Sequence, residues 1–169
     1  MTIADQLKQI RAAFEAWARG NRGQVAIVED LGELVERLRA TPSAPRAYVV
    51  FHQEGKRGEF EESGMVDRTF WVTLTRGKGL ALETGASLVT GVAGGKPMYD
   101  LLEEARETIR ALSFDPETTE TSVDYKGARP LELDGQTSTD AMRLEFTLGC
   151  QLPAVDLTRN PTEPNEETV

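Results

Sequence analysis

The amino-acid sequence predicts an α+β fold in which about three helices pack on a mixed, mostly antiparallel sheet. Three observations indicate this class. Apolar residues recur every three or four positions in three segments, as in helices that bury one face. Other segments alternate apolar and polar residues, as in strands with one buried face. The order along the chain is helix, strand, helix, strands, helix, strands, and this grouping favours helices packed on an antiparallel sheet.

An apolar stripe marks the first predicted helix. Thr2 and Asp5 have the spacing of a capping pair, in which each side chain satisfies a backbone N–H group at the start of a helix. Gly20 is the predicted end of the helix. The stripe consists of Ile3, Leu7, Ile10, Phe14 and Trp17.

Four further segments fill the chain as far as residue 76. Residues 24–28 are predicted to form a short strand, and residues 31–38 a second helix that ends before a proline. The β-rich run within residues 46–52 predicts another strand. Residues 65–76 alternate along their whole length, so we predict a long strand there that carries Trp71 on its second face.

One more helix and three strand segments are predicted in the last part of the chain. Pro97 stands at the predicted first position of the third helix. Residues 121–125 and 129–133 are predicted as two separate strand segments. The alternation within residues 142–150 predicts the closing strand, with one apolar and one polar face. The apolar face of the third helix consists of Leu101, Leu102, Ala105, Ile109 and Leu112.

The predicted organisation is one domain, residues 1–153, followed by an acidic tail. A chain of 169 residues is long enough to bury one core of ordinary size. Two segments near 54–64 and 76–96 are rich in glycine or charge, and we predict that they project as long loops. Residues 154–169 lose periodicity and gain proline and acid, which predicts a flexible C-terminal tail.

Composition and charge exclude several classes of function. The formal net charge of −9 argues against tight binding to nucleic acid, because phosphate groups are bound by clustered lysine and arginine. No stretch reaches the roughly 18 apolar residues of a membrane span, and the N-terminus lacks the apolar core of a signal peptide. We therefore expect no contact with a membrane and synthesis in the cytoplasm. The single cysteine, Cys150, cannot form an internal disulfide and fits a buried structural thiol.

No motif predicts catalysis, a cofactor or a metal. Residues 91–96 look like a phosphate-binding loop, but their glycine spacing is one residue short and Pro97 occupies the position of the magnesium-binding Ser or Thr. His52 is the only histidine, and the G-x-S-x-G turn of a serine hydrolase does not occur. We expect a protein that is not an enzyme, without catalytic residues, cofactor or metal ligands. The last-ranked alternative is a small nucleotide-binding enzyme that uses Lys96.

The second half of the chain carries a resemblance to a known family. A helix is followed by a D-Y-x-G segment and by a closing strand that ends in Leu-Pro. With this pattern, residues 45–153 resemble the tail terminator and tail-completion proteins of long-tailed bacteriophages. The residues that carry the resemblance are Asp124, Tyr125, Gly127, Leu131, Asp140, Arg143, Phe146, Leu152 and Pro153.

The resemblance implies a subunit that assembles into a ring, usually a hexamer, at the head-proximal end of a phage tail tube. Such a ring stops tube polymerisation and presents a joining surface to head-completion proteins, and DNA only passes through its channel. The expected location is the virion tail or neck, after synthesis in the host cytoplasm. A head-tail connector or another neck protein is the close alternative.

Seven residues are candidate contacts with a neighbouring subunit or with the tube. Two of them are aromatic residues on predicted strands, and aromatic side chains are enriched in buried centres of interfaces. Packing beneath a helix of the same chain is the alternative role of these two. The seven are Lys56, Arg57, Trp71, Arg76, Lys78, Lys96 and Tyr125.

Overall fold

Two helices and five strands have both ends within the described part of the chain. The structure is a computed structural model that describes residues 1–29, 32–33, 36, 44–57, 64–77, 89, 95–114, 123–131 and 139–152. Gly32, Glu33 and Glu36 are also helical and lie in the predicted second helix, whose other residues fall outside the described ones. The elements are α1 (Ile3–Gly20), β1 (Gln24–Ile27), β2 (Arg46–Lys56), β3 (Met65–Gly77), α2 (Met98–Arg110), β4 (Asp124–Pro130) and β5 (Thr139–Gln151).

The five strands form one mixed sheet in the order β1-β2-β3-β5-β4. β1 and β2 run parallel, and the other three neighbouring pairs are antiparallel. β3 is the central strand and pairs with β5 along its whole length, from Met65 opposite Gln151 to Gly77 opposite Thr139. The prediction of an α+β fold with a mixed, mostly antiparallel sheet is confirmed.

Both helices lie against one face of the sheet, which we call the first face, and enclose the main core with it. The predicted capping pair is present, since Thr2 Oγ1 accepts from the Asp5 N–H at 3.1 Å and the Asp5 carboxylate accepts from the Thr2 N–H at 3.3 Å. At the centre of the core, the rings of Phe70 and Phe146 stack with centroids 5.8 Å apart. Neither ring is exposed, so this pair joins β3 to β5 beneath the helices.

A buried arginine ties the start of α1 to the sheet. Arg68 of β3 donates through Nη1 to the Met1 carbonyl at 3.1 Å and to Gln6 Oε1 at 3.0 Å. Its Nε donates to the Glu54 carboxylate of β2 at 2.7 Å. Gln6 is itself fully buried and donates through Nε2 to the thiol of Cys150 at 3.1 Å. The cysteine is thus a buried structural thiol, as predicted.

Strand β4 corrects one prediction. The two segments predicted at 121–125 and 129–133 are a single strand, Asp124–Pro130, that pairs with β5. The register shifts between Tyr125 and Gly127, which marks a β-bulge. Gly127 has φ +138°, a conformation that is strained for a residue with a Cβ atom, and so lets the strand continue through the irregularity. The sequence pattern broke at the bulge, and two strands were predicted for this reason.

We expect Gly127→Ala to lower the free energy of unfolding by about 1–2 kcal/mol, because alanine is strained at positive φ. An added Cβ meets no atom within 4 Å, so the loss would come from the backbone alone. Urea denaturation measures it. Gly55→Ala in β2 is the matched control, since its Cβ also meets nothing and no positive φ occurs there. Equal stability of the two variants would contradict this account of the bulge.

The two predicted loops begin later than the sequence indicated. β2 continues through Lys56 and β3 starts at Met65, so these strands form a hairpin whose connection is shorter than the predicted 54–64 loop. β3 continues through Gly77, which places the first residues of the predicted 76–96 loop in the sheet. Most of that loop, and the predicted tail at 154–169, lie outside the described residues.

Candidate functional site

The second face of the sheet carries a separate buried cluster that contains no residue of α1 or α2. Its members are Val28, Tyr48, Val50 and Trp71. Trp71 stands on this face because side chains alternate along β3, and its neighbours Phe70 and Val72 point into the main core. The prediction that Trp71 lies on the second face of its strand is confirmed.

Trp71 is the centre of a group of polar and charged side chains. The imidazole of His52 stacks on the indole, with ring centroids 3.5 Å apart and planes 19° apart. The guanidinium carbon of Arg143 lies 4.0 Å from the indole centroid, within cation–π distance. The indole Nε1 donates to Glu145 Oε2 at 2.8 Å. Three strands therefore contribute to one fixed arrangement around a single aromatic ring.

Strand register explains why these side chains meet. Glu145 of β5 lies directly opposite Trp71, and Arg143 lies opposite Thr73, two positions along the same face. His52 falls at the β2 irregularity between Phe51 and Gln53, where one residue has no register partner. A bulge of this kind redirects a side chain, and here the redirected side chain lies on Trp71.

An open groove runs beside this cluster toward the sheet edge at β4. Its volume is about 230 Å³. Arg129 of β4 and Arg143 of β5 are register partners, so two arginines lie directly across from each other. The groove thus concentrates positive charge on a chain whose net charge is −9. Its lining residues are Lys126, Gly127, Ala128, Arg129, Arg143 and Glu145.

The surroundings of the groove shift two pKa values. Burial lowers the pKa of the Arg143 guanidinium, the nearby Arg129 charge lowers it further, and Glu145 opposes both. Burial also lowers the pKa of His52, against an opposing effect of Glu145 and with smaller lowering contributions from Arg143 and Arg129. The imidazole is therefore mainly neutral at pH 7, and the positive charge of the groove comes from arginine and lysine.

We expect an NMR titration of His52, the only imidazole of the chain, to give a pKa below its ordinary value of 6.5. The unfolded chain then binds the proton more readily than the folded one between the two pKa values. The contribution of His52 to stability is constant above pH 6.5 and falls as the pH drops through 6.5 toward the folded pKa. His52→Gln should lose this part of the pH dependence. A measured pKa at or above 6.5 would refute the partial desolvation of the stacked imidazole, since His52 is otherwise an exposed residue of β2.

The side chains of the site are held by one another. One Glu145 oxygen is engaged by the Trp71 indole, and the His52 ring is stacked flat on that indole. Cys150 lies in the main core, away from His52. Within the described ranges, no group of three or more His, Cys, Asp or Glu side chains could hold a metal ion.

Two of the seven candidate contacts are aromatic, and they lie on opposite faces of the sheet. Trp71 belongs to the second face, as described above. Tyr125 of β4 packs on the main core, and the Arg106 guanidinium of α2 lies 5.8 Å from its ring centroid. Packing beneath a helix of the same chain, the alternative left open by the sequence, is the arrangement found for Tyr125.

The basic candidates are distributed over the molecule. Lys56 and Arg57 lie at the β2–β3 hairpin, where Arg57 pairs with Asp67 at 3.6 Å. Arg76 lies near the other end of β3 and is fully buried. Lys96 precedes α2 and pairs with Glu104 of that helix. Lys78 is outside the described residues. Of the six candidates that the structure describes, only Trp71 belongs to the buried cluster of the second face.

The sequence prediction missed His52 beside Trp71 and the groove residues Lys126, Arg129 and Glu145, and placed Arg143 only in the pattern of the resemblance. Arg143 and Glu145 alternate with apolar residues in the last strand, which shows their shared face. The missing information was the pairing of β4 with β5. With that register, two arginines 14 positions apart in sequence become direct neighbours.

Comparisons with known proteins give no family assignment. No family model and no curated protein matches the chain. Three solved structures from Akkermansia muciniphila are similar at 7% identity. A core-domain crystal structure has a TM-score of 0.35 and covers 88% of this chain and 86% of that chain. A second crystal structure has a TM-score of 0.36 and covers 89% of this chain and 77% of that chain. A third structure, determined without its transmembrane region, has a TM-score of 0.31 and covers 89% of this chain and 84% of that chain.

Similarity at this level supports no statement about fold or function. In the described part of this chain, no helix is long and apolar enough to span a membrane.

Proposed function

We propose that the chain is a structural subunit of phage tails, of the tail terminator kind, and not an enzyme. In this role it forms a ring, most simply a homohexamer, at the head-proximal end of the tail tube. The ring stops tube polymerisation and joins the tail to head-completion proteins of the virion neck. The observation that carries the proposal is the second face of the sheet, where Arg143 lies over Trp71 and stands opposite Arg129 in the groove. Tryptophan and arginine are the residue types enriched at the centres of protein–protein contacts.

The residues of the phage-family resemblance fit this reading because they divide between stability and a contact surface. Phe146 lies in the main core and stacks on Phe70. Gly127 allows the bulge of β4. Arg143 instead lies in the groove, where it is nearly buried without joining an ion pair among the described residues. Phe146 and Gly127 therefore stabilise the domain, and Arg143 lies on the proposed contact surface.

The edge strand β4 favours contacts through faces and loops over continuation of the sheet. In the described part of the chain, β4 pairs only with β5. A bulge at Lys126 and a proline at position 130 interrupt its free edge. Bulges, lysine and proline are the devices by which edge strands avoid pairing with other chains. At the β4 edge, a ring would therefore use the second face and not a sheet shared between subunits.

The charge of the chain is compatible with a DNA channel. A subunit with net charge −9 repels the phosphate backbone, so DNA would pass without sticking. A head-tail connector or neck protein would use the same properties, and only the identity of the partner separates it from a terminator. The nucleotide-binding alternative is weakened because the Lys96 ammonium pairs with Glu104 in the middle of α2.

Negative-stain microscopy of the protein mixed with preformed tail tubes tests this function. We expect rings, or caps at one end of each tube, and native mass spectrometry of the protein alone is expected to give monomers or closed rings. Arg110→Gln on the exposed surface of α2 should form caps like the parent. Protein that ignores tubes but binds connectors would favour the neck protein, and protein that binds neither would overturn the proposal. Binding of a nucleotide, lost in Lys96→Ala, would support the enzyme instead.

A further inference from the structure

The groove contains an arrangement that costs stability in the isolated chain. Arg129 and Arg143 are direct cross-strand partners on adjacent strands. Like charges directly opposite each other destabilise a sheet. The charge of Arg129 affects Arg143 in this way, because the pKa of Arg143 is lowered first by burial and next by Arg129. A single carboxylate, Glu145, lines the same groove, and one of its oxygens is used by the Trp71 indole.

Arg143 is also poorly satisfied. It is 93% buried by its relative exposure of 7%, and its Nε has no hydrogen-bond partner. A buried guanidinium normally has a carboxylate or several acceptors around it, because an unpaired buried donor costs about 1–3 kcal/mol. Among the described residues neither Arg143 nor Arg129 forms an ion pair. Neither guanidinium group therefore has a carboxylate of the described residues bound to it at the place where they meet, and Lys126 beside them pairs with Asp124.

The size and openness of the groove favour a side-chain anion over an enclosed small-molecule ligand. Its volume of about 230 Å³ is below the roughly 300–1,000 Å³ of pockets that enclose small-molecule ligands. It is open and lies at the sheet edge, where an extended segment can lay one or two side chains into it. Paired guanidinium groups are suited to carboxylates, which they bind through parallel hydrogen bonds. An acidic peptide segment meets these requirements.

We propose that the groove binds side-chain carboxylates of the acidic C-terminal segment, residues 154–169, from a second copy of the chain. This segment has four acids and one arginine, so its charge complements the groove. Its sixteen residues can reach up to roughly 50 Å when extended, enough to cross from one subunit to the next. The contact is head-to-tail, which is the kind that closes a ring. This inference rests on the proposed ring. It identifies the segment that the groove binds between neighbouring subunits of that ring.

The first test measures binding of the segment without rings or tubes. The receptor is the full chain with its own acids neutralised by Asp156→Asn, Glu163→Gln, Glu166→Gln and Glu167→Gln. A synthetic peptide of residues 154–169 is titrated into it by calorimetry at low salt. We expect saturable binding that weakens with salt and is absent for a peptide with the same four substitutions.

Variants of the receptor identify the groove. Arg129→Gln and Arg143→Gln should each weaken peptide binding by about tenfold, and Arg143→Lys by less, because lysine keeps the charge but loses the two-pronged geometry. Arg110→Gln removes an arginine elsewhere and should bind like the parent. Arg129 is exposed, so its variant tests the groove even if Arg143→Gln changes folding. Unchanged binding in both arginine variants, or equal binding of the neutral peptide, would overturn the proposal.

Mixing two full-length variants tests whether the segment comes from another copy. One has the double change Arg129→Gln and Arg143→Gln, and the other has the neutralised segment. Neither should associate alone through this contact, whereas the mixture should form heterodimers in native mass spectrometry. No heterodimer, or a groove that takes a short oligonucleotide in preference to the peptide, would overturn the inference. Caps on tubes without peptide binding would refute only this contact, and peptide binding without caps only the terminator function.

Discussion

Phe146→Ala is expected to lower the free energy of unfolding by about 3–5 kcal/mol, the largest effect of any single change considered. Phe146 is fully buried between β5 and the helices and stacks on Phe70, so alanine would leave a cavity at the centre of the main core. Chemical denaturation followed by circular dichroism measures the loss.

Tyr99→Ala is the control for this prediction. Tyr99 is an aromatic residue of α2 that is 45% exposed, and its removal should cost well under half as much. If both variants lost similar stability, the centre of the core would not lie at the Phe70–Phe146 pair.

Arg68→Met should be the second most damaging change, with a loss of about 2–4 kcal/mol. Methionine fills similar space but leaves Gln6, the Met1 carbonyl and Glu54 without the donor that joins them. We expect a smaller loss of stability than for a fully enclosed ion pair, because the Glu54 side chain is 35% exposed and water can replace part of the interaction.

Arg57→Met on the same hairpin is its matched control. Arg57 and Asp67 are both exposed and 3.6 Å apart, so their pair should contribute less than about 1 kcal/mol. Proteolysis near the N-terminus should also speed up in Arg68→Met, because the start of α1 loses its tie to the sheet. Equal losses of unfolding free energy in Arg68→Met and Arg57→Met would show that the burial of Arg68 does not contribute to stability.

Most of the fold could be predicted because apolar residues recur with a regular period in most elements. This period shows which side of the element is buried in α1, α2, β3 and β5. β4 could not be predicted as one strand, since the bulge at Lys126 breaks the alternation on which such a prediction depends. Strand ends were also missed, because Gln53 to Lys56 are exposed residues that carry no burial pattern.

The candidate site was less predictable than the fold for a physical reason. Trp71 stood out in the sequence as an aromatic residue on a polar face, and the structure places it there. The polar side chains around it come from β2 and β5, and only strand order and register bring them together. His52 in particular reaches the indole through a bulge, which has no signature in a single sequence. The groove is formed by the pairing of β4 with β5, and neither segment alone contains it.

Because β3 is the central strand, the order of synthesis constrains when this domain can fold. Its long pairing with β5 joins Met65 to Gln151 and Gly77 to Thr139, so the middle of the sheet is closed only after residues 78–138 have been made. Non-local pairing of this kind slows folding. Until β5 is available, a nascent chain holds β3 with one open edge and an uncovered apolar face, the form most prone to pair with other unfinished chains. Expression yield should therefore depend on how quickly translation passes from residue 77 to residue 151.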